Sequence, residues 1–241
     1  MKKLLTCIIL TSFSLNAMSQ GVPLISDDLK TVQPKQVYFT GGFDGNLLSS
    51  SILEKGNDKS KLTIPRYTAF LHLGAHMNFD FNNHVGFFVG LGTKNIGFIE
   101  KYPDQDSTVI RRAYTLGIPV GLKFGNFNNK NYFFLGGGVD MPFHFKEKGF
   151  VKRSKKEKTT EWFSDRTQTL LPYGFIGAHL NPGIALKLQY YPTNFLNPDF
   201  KETIEVQGQS IIHKPYENYK VNMIVLSLGI HINYTPKPHW D

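Results

Sequence analysis

The sequence predicts an all-β chain, an eight-stranded antiparallel up-and-down transmembrane β-barrel, and three observations carry the prediction. Apolar residues recur at every second position over long stretches, the connections between those stretches alternate between short and long, and the chain opens with a short apolar run. Period-two alternation marks strands with two unlike faces. Short turns at one end and long loops at the other, on an even number of strands, is the pattern of barrels that cross an outer membrane.

The N-terminus sets the compartment. Lys2 and Lys3 precede the apolar run Leu4 to Leu15, and Ala17-Met18-Ser19 supplies small residues at the cleavage positions. This order reads as a secretory signal over residues 1–19, cut before Gln20, with the barrel domain in 20–241. An anchor helix is the alternative, and the run is short for it. Leu4-Leu5-Thr6-Cys7 resembles a lipoprotein box, but cleavage there would leave the signal no apolar region. Cys7 is the only cysteine. Its removal would exclude disulfides, iron–sulfur clusters and thiol nucleophiles from the mature chain. Losing Lys2 and Lys3 takes the formal charge from +8 to +6 (8 − 2), so a basic exported protein is expected, suited to anionic surfaces.

The strands follow in order. The first is Val37–Asp44. The second runs from Tyr67 to Phe81, with Tyr67, Ala69, Leu71, Leu73, Ala75, Met77, Phe79 and Phe81 on one face. Its other face holds Thr68, Phe70, His72, Gly74, His76, Asn78 and Asp80. The third sets Val85, Phe87, Val89 and Leu91 against Gly86, Phe88, Gly90 and Gly92. The fourth sets Tyr114, Leu116, Ile118, Val120, Leu122 and Phe124 against Thr115, Gly117, Pro119, Gly121, Lys123 and Gly125. In the fifth, Phe133, Leu135, Val139, Met141, Phe143 and Phe145 oppose Phe134, Gly136, Gly138, Asp140, Pro142 and His144. The sixth, Thr169–Leu180, can be argued in either parity. Ile184–Tyr191 is the seventh. The eighth sets Ile224, Leu226, Leu228, Ile230, Ile232 and Tyr234 against Val225, Ser227, Gly229, His231 and Asn233. Strands thus occupy roughly 36–234, and 235–241 is a short tail.

Connections after the second, fourth and sixth strands are short and rich in Asn, Gly or Pro: Asn82-Asn83-His84, Asn126–Asn131 and Asn181-Pro182-Gly183. The others, Glu54–Pro65, Lys101–Ser107, Glu147–Asp165 and Pro198–Lys220, are mostly longer and polar. Within the last, Thr203–Lys214 is a candidate hairpin turning near Gln207-Gly208. Both termini fall on the short-turn side, which in an outer membrane is the periplasm.

The two faces fit lipid and lumen. A sheet in hydrocarbon must close to satisfy its backbone, and eight strands enclose only enough room for side chains. Bulky apolar residues then belong outside, and glycine or polar residues inside. Tyr114, Tyr132, Tyr190, Tyr191 and Tyr234 lie near strand ends, where aromatic girdles form. Pro119 cannot donate to the ladder and is expected at a bulge or bend. A soluble lipocalin-like barrel would turn the same alternation inward. Its water-facing side should be rich in Lys, Glu, Thr and Ser, whereas here the less apolar faces are mainly Gly with scattered His, Asp and Asn.

Tyr114-Thr115-Leu116-Gly117-Ile118-Pro119-Val120-Gly121-Leu122-Lys123 resembles the PorT-type outer-membrane β-barrel family of Bacteroidetes. Its members often carry a strand reading Tyr-Leu-x-Ile-Pro before an apolar, lysine-ended run, and Thr115 departs from the leucine. Phe133–Asp140, FFLGGGVD, and the signal ending in Ser-Gln are similar too. The resemblance covers roughly Val37 to Tyr234. It implies an outer-membrane barrel, some of whose relatives serve a secretion apparatus, and it implies no catalytic residues or cofactors.

Candidate site residues fall into two groups. Asp44, His72, His76, Asp80, Lys123, Asp140, His144 and Lys187 are expected on inward faces, as a lumen network in which buried charges pair. Gln189 shares that face. His72 and His76 would lie about 13 Å apart along a strand, too far to chelate one metal as a pair, so hydrogen bonds to Asn78, Asp80 or Asp44 are expected instead. Lys148, Lys152, Arg153, Lys155, Lys156 and Lys158 crowd the loop KEKGFVKRSKKEK. It reads either as a contact for lipopolysaccharide phosphates or an acidic envelope protein, or as a solvated loop. Export argues against nucleic acid. The expected role is a non-enzymatic structural or accessory barrel, such as a subunit of a secretion or assembly complex. The alternatives are an outer-leaflet lipid-modifying enzyme, which would need a nucleophile beside a histidine at the outer rim, and a small porin-like protein.

Overall fold

Glycine-lined, β-branched and aromatic sequence produces strands almost throughout. A computed structural model describes residues 36–102, 106–151, 155–206 and 209–233. The expected signal, Lys152, Arg153, Tyr234 and the tail lie outside the described residues. Among the described residues twelve strands occur: β1 (Gln36–Lys55), β2 (Lys61–Leu62), β3 (Leu73–Asp80), β4 (Val85–Tyr102), β5 (Ser107–Asn126), β6 (Asn131–Val151), β7 (Lys155–Trp162), β8 (Leu171–Leu180), β9 (Ile184–Tyr190), β10 (Glu202–Val206), β11 (Gln209–His213) and β12 (Tyr219–Asn233). Four of them, β2, β7, β10 and β11, form inside the long connections, apart from the eight stretches that the alternation picks out.

Pairing is antiparallel and runs in the order β1-β3-β4-β5-β6-β8-β9-β12. β12 then pairs with β1 from Thr40↔Asn233 to Lys55↔Tyr219. β2 adds to β1, β7 adds to β6, and β10–β11 form a separate hairpin, flanking Gln207-Gly208 as the sequence suggests. Among the described residues no helix is long and apolar enough to cross a membrane.

The faces divide as the alternation predicts over the lower half of the strands. On β5, Leu116, Ile118, Val120, Leu122 and Phe124 are exposed, while Thr115, Gly117, Pro119, Gly121 and Lys123 between them are buried. β8 takes the odd parity, burying Leu171, Tyr173 and Phe175 and exposing Ile176 and Leu180. Tyr191 is buried in the interior and so belongs to no girdle. Close packing explains the glycines: a Cβ on Gly136 would strike the Val120 carbonyl oxygen and the Gly121 Cα.

Above that zone the strands continue, and the polarity of their two faces inverts. Ile96, Phe98, Ala113, Phe145, Val221 and Met223 point inward into a core with Leu53, Phe195 and Leu196, while Lys101, Lys158 and Thr160 are exposed. This is the pattern of a sheet in water, and it explains why β1, β4, β5, β6 and β12 outrun the expected strand ends.

Two irregularities fall at the changeover. In β1 the register shifts between Asn46 and Leu48. In β6 it shifts opposite Tyr114/Thr115, where Pro142 pairs with Thr115 and His144 with Tyr114, leaving Phe143 as the extra residue. That bulge reverses the expected parity, so Phe145 is buried and His144 turns out toward Tyr114 and Trp162.

Pro119 causes no register shift. The β4–β5 ladder lapses opposite it, from Val89↔Val120 to Gly92↔Gly117, and resumes in the same register. Losing one donor costs ladder bonds there, while its β6 neighbour Gly138 stays in register. The expected second strand also starts late. Leu71 takes φ 61°, which breaks the alternation, so Phe70 is exposed rather than inward. The preceding segment instead bridges β1 at Ser49↔Arg66 and β4 at Ile64↔Ile99.

Gly136→Ala should destabilise the fold by about 1–3 kcal/mol through overpacking. Gly174→Ala, whose Cβ would meet only the Gly136 carbonyl oxygen at 3.8 Å, should be nearly neutral. Urea unfolding of both variants in detergent checks this, and equal costs would refute the packing account.

Candidate functional site

The interior is filled in layers of paired charge and aromatic rings. Lys123 enters it because the β5 alternation places it between Gly121 and Gly125 on the inward face. Its Nζ lies 2.6 Å from Asp80 Oδ1, with side-chain exposures of 1% and 0%. It also donates to Asn78 Oδ1 at 2.9 Å and Tyr38 Oη at 3.0 Å. Phe127, from the short turn after β5, brings its ring to 5.0 Å from the same ammonium. Asn78 in turn donates to Thr40 Oγ1 at 2.9 Å.

Above this pair stand Phe88, Phe134 and Phe175, with ring centroids 6.0–6.2 Å apart. His76 packs against Phe88 at 5.2 Å. A pocket of about 30 Å³ remains beside them, lined by His76, Asn78, Lys123 and Lys187 among others. That is room for water rather than a channel.

The next layer centres on Lys94, whose Nζ lies 2.9 Å from Asp140 Oδ2. Lys94 donates to Gln189 Oε1 at 3.1 Å and Tyr191 Oη at 3.3 Å, and it sits 3.6 Å over the Tyr173 ring. Tyr191 donates to Asp140 Oδ2 at 2.6 Å, and Gln189 to Ser227 Oγ at 3.1 Å.

A third layer lies in the upper, water-type part of the sheet. Arg111 donates to Glu100 Oε2 and Glu147 Oε2, both at 2.6 Å. Tyr216 donates to Glu147 Oε2 at 3.2 Å, and burial followed by the Glu147 charge pushes its hydroxyl up to about 12. Arg166 ties on Glu161 and Glu202 at 3.0 and 2.9 Å, joining β10 to the body.

Of the sequence-predicted lumen residues, the structure joins Asp80 with Lys123 and sets His76 and Lys187 around the pocket. Asp140 pairs with Lys94, a residue the sequence reading passed over. His72 is fully buried just ahead of β3. His144 stands outside the lumen, turned out by the β6 bulge. Asp44 holds an inward register position on β1, but its side chain is outside the described residues. Lys94, Glu100 and Arg111 were legible in principle, since each continues the inward parity of its strand beyond the apolar zone. Four of the basic residues expected on a loop lie instead on paired strands, Lys148 on β6 and Lys155, Lys156 and Lys158 on β7.

A family model described as "Outer membrane protein beta-barrel domain" matches residues 32–241. The chain belongs to that family. Membership implies an outer-membrane location for this β-barrel protein. None of the curated proteins matches it. Solved structures that resemble it include Ail, the attachment invasion locus protein of Yersinia pestis, at 14% identity and TM-score 0.32, covering 81% of this chain and 97% of that one. Neisserial surface protein A follows at 11% identity and TM-score 0.35, covering 82% and 97%. The outer membrane protein AlkL gives 12% identity and TM-score 0.35, covering 93% and 100%.

Removing one partner of a buried pair leaves the other charge uncompensated. Lys123→Met should cost about 3–5 kcal/mol, and adding Asp80→Leu should recover most of it. Urea midpoints of the single and double variants measure the coupling, and additive losses would contradict a direct pair.

Proposed function

We propose that this outer-membrane protein works as a closed eight-stranded transmembrane barrel with both chain ends and the short turns in the periplasm. Its role is structural or accessory rather than enzymatic, as a subunit of a PorT-type secretion or envelope-assembly complex. One observation carries this reading: the interior is packed with paired charges and rings, while the bulky side chains face outward. Phe133, Ile176 and Ile118 are 72%, 61% and 55% exposed, within an apolar band larger than water-facing surfaces ordinarily carry. A filled lumen passes no solute, which leaves the outer surface and the long hairpins as the means of action. The Tyr-Thr-Leu-Gly-Ile-Pro strand supports the PorT-type assignment.

Leu135→Arg, in the middle of the band, should then cost about 2–4 kcal/mol of folding into phosphatidylcholine vesicles, whereas Thr108→Arg, on the outward face above it, should cost close to nothing. Equal effects would remove the membrane from the account. For the role itself, the tagged protein is extracted from its native envelope in mild detergent and everything recovered is identified by mass spectrometry. Stoichiometric envelope proteins are expected. Recovery of the barrel alone, with altered lipid A in a deletion strain, would overturn the accessory role.

A further inference from the structure

The outward face of β5, β6 and β7, above the apolar band, segregates charge. Register places Arg112 beside Lys146, Ile110 beside Lys148, and Lys148 opposite Lys158. These residues therefore share one face. The carboxylates of Glu147 and Glu161 occupy the alternate positions, on the opposite face, where they pair with Arg111 and Arg166. A field is also felt nearby: burial first, and then the charge of Arg112, hold the Arg66 guanidinium down to about 10.

What lies beneath the cations identifies the ligand. Outward positions on a strand recur about every 7 Å, and going up β5 they read Ile118, Leu116, Tyr114, Arg112. Tyr114 stands in an aromatic layer with Phe70 at 6.4 Å, Phe143 at 6.3 Å and His144 at 5.3 Å. Trp162, 68% exposed, extends the layer 6.1 Å from Phe143, and Arg112 caps the Tyr114 ring at 5.7 Å. Aliphatic, aromatic and cationic side chains thus follow in the order of acyl chain, interface and phosphate. A soluble anion would need only the cations. A molecule that also needs the aromatic and aliphatic steps is an amphiphile.

We propose that this face binds the phosphate groups of a phosphorylated lipid in the outer leaflet, through Arg112, Lys146, Lys148 and Lys158. The inference rests on the membrane-barrel reading and adds the ligand, and it selects one face of the basic hairpin.

The test uses the full protein folded into phosphatidylcholine vesicles containing lipopolysaccharide, either native or dephosphorylated. Density flotation scores insertion, and native mass spectrometry after gentle extraction counts retained lipid. Wild type should retain the phosphorylated form about tenfold over the dephosphorylated one, as several charge-assisted contacts require. R112Q/K146Q/K148Q/K158Q should lose that preference, while K59Q/K130Q/K201Q/K214Q, with the same change in charge elsewhere, should keep it. K146Q/K158Q, expected to lose it in part, serves if the quadruple variant does not fold. Inserted wild type without preference, or inserted face variants that retain it in full, would overturn the lipid site alone. Failure of the wild type to float would overturn the barrel reading, and the lipid site with it.

Discussion

Backbone pairing around the whole sheet is the constraint on which the structure depends. β1 hydrogen-bonds to β3 on one side and to β12 on the other, so neither the first nor the last strand presents a long free edge. Hydrocarbon offers no partner to an unpaired amide, and this pairing is what allows the bulky residues to face outward. Once they do, the inside must be filled by what remains. Glycine admits close approach, rings fill volume, and each charge drawn inside is held by an opposite one.

The legible part of this lay in the side-chain period. Where one face is apolar and the other bare, as from Leu116 to Phe124, the alternation marked both the strand and its orientation. It misled where the backbone departs from regular register. His144 and Phe145 exchanged sides because of one extra residue in β6, and a bulge carries little signature in a sequence already crowded with aromatics. Phe70 was misplaced for a related reason, the left-handed conformation at Leu71, a residue type that gives no warning of it. Pro119 misled in the other direction, since its cost was absorbed as missing ladder pairs instead of a shift.

Some of the charge pairing was plain in the sequence and some was legible only by extending the parity of a strand. Asp80 and Lys123 stand within obvious strands, so their common face could be inferred. Lys94 and Arg111 stand where the outer face ceases to be apolar, and the alternation that would have located them becomes hard to see. The face inverts there because the solvent changes. The sequence follows suit by placing Ile96, Phe98 and Met223 inward, so that one strand obeys two opposite hydrophobic rules along its length.

The upper lumen layer bears on how such a barrel is assembled. Lys94 comes from β4, Asp140 from β6, Gln189 from β9, and Tyr191 from just beyond it. No consecutive pair of strands contains the whole group. A half-built sheet entering the bilayer would carry an ammonium and a carboxylate lacking some of the partners they have at the end, at considerable cost in a low-dielectric setting. Partial sheets are therefore disfavoured relative to the complete one, in which strands far apart in the chain bring all four groups together.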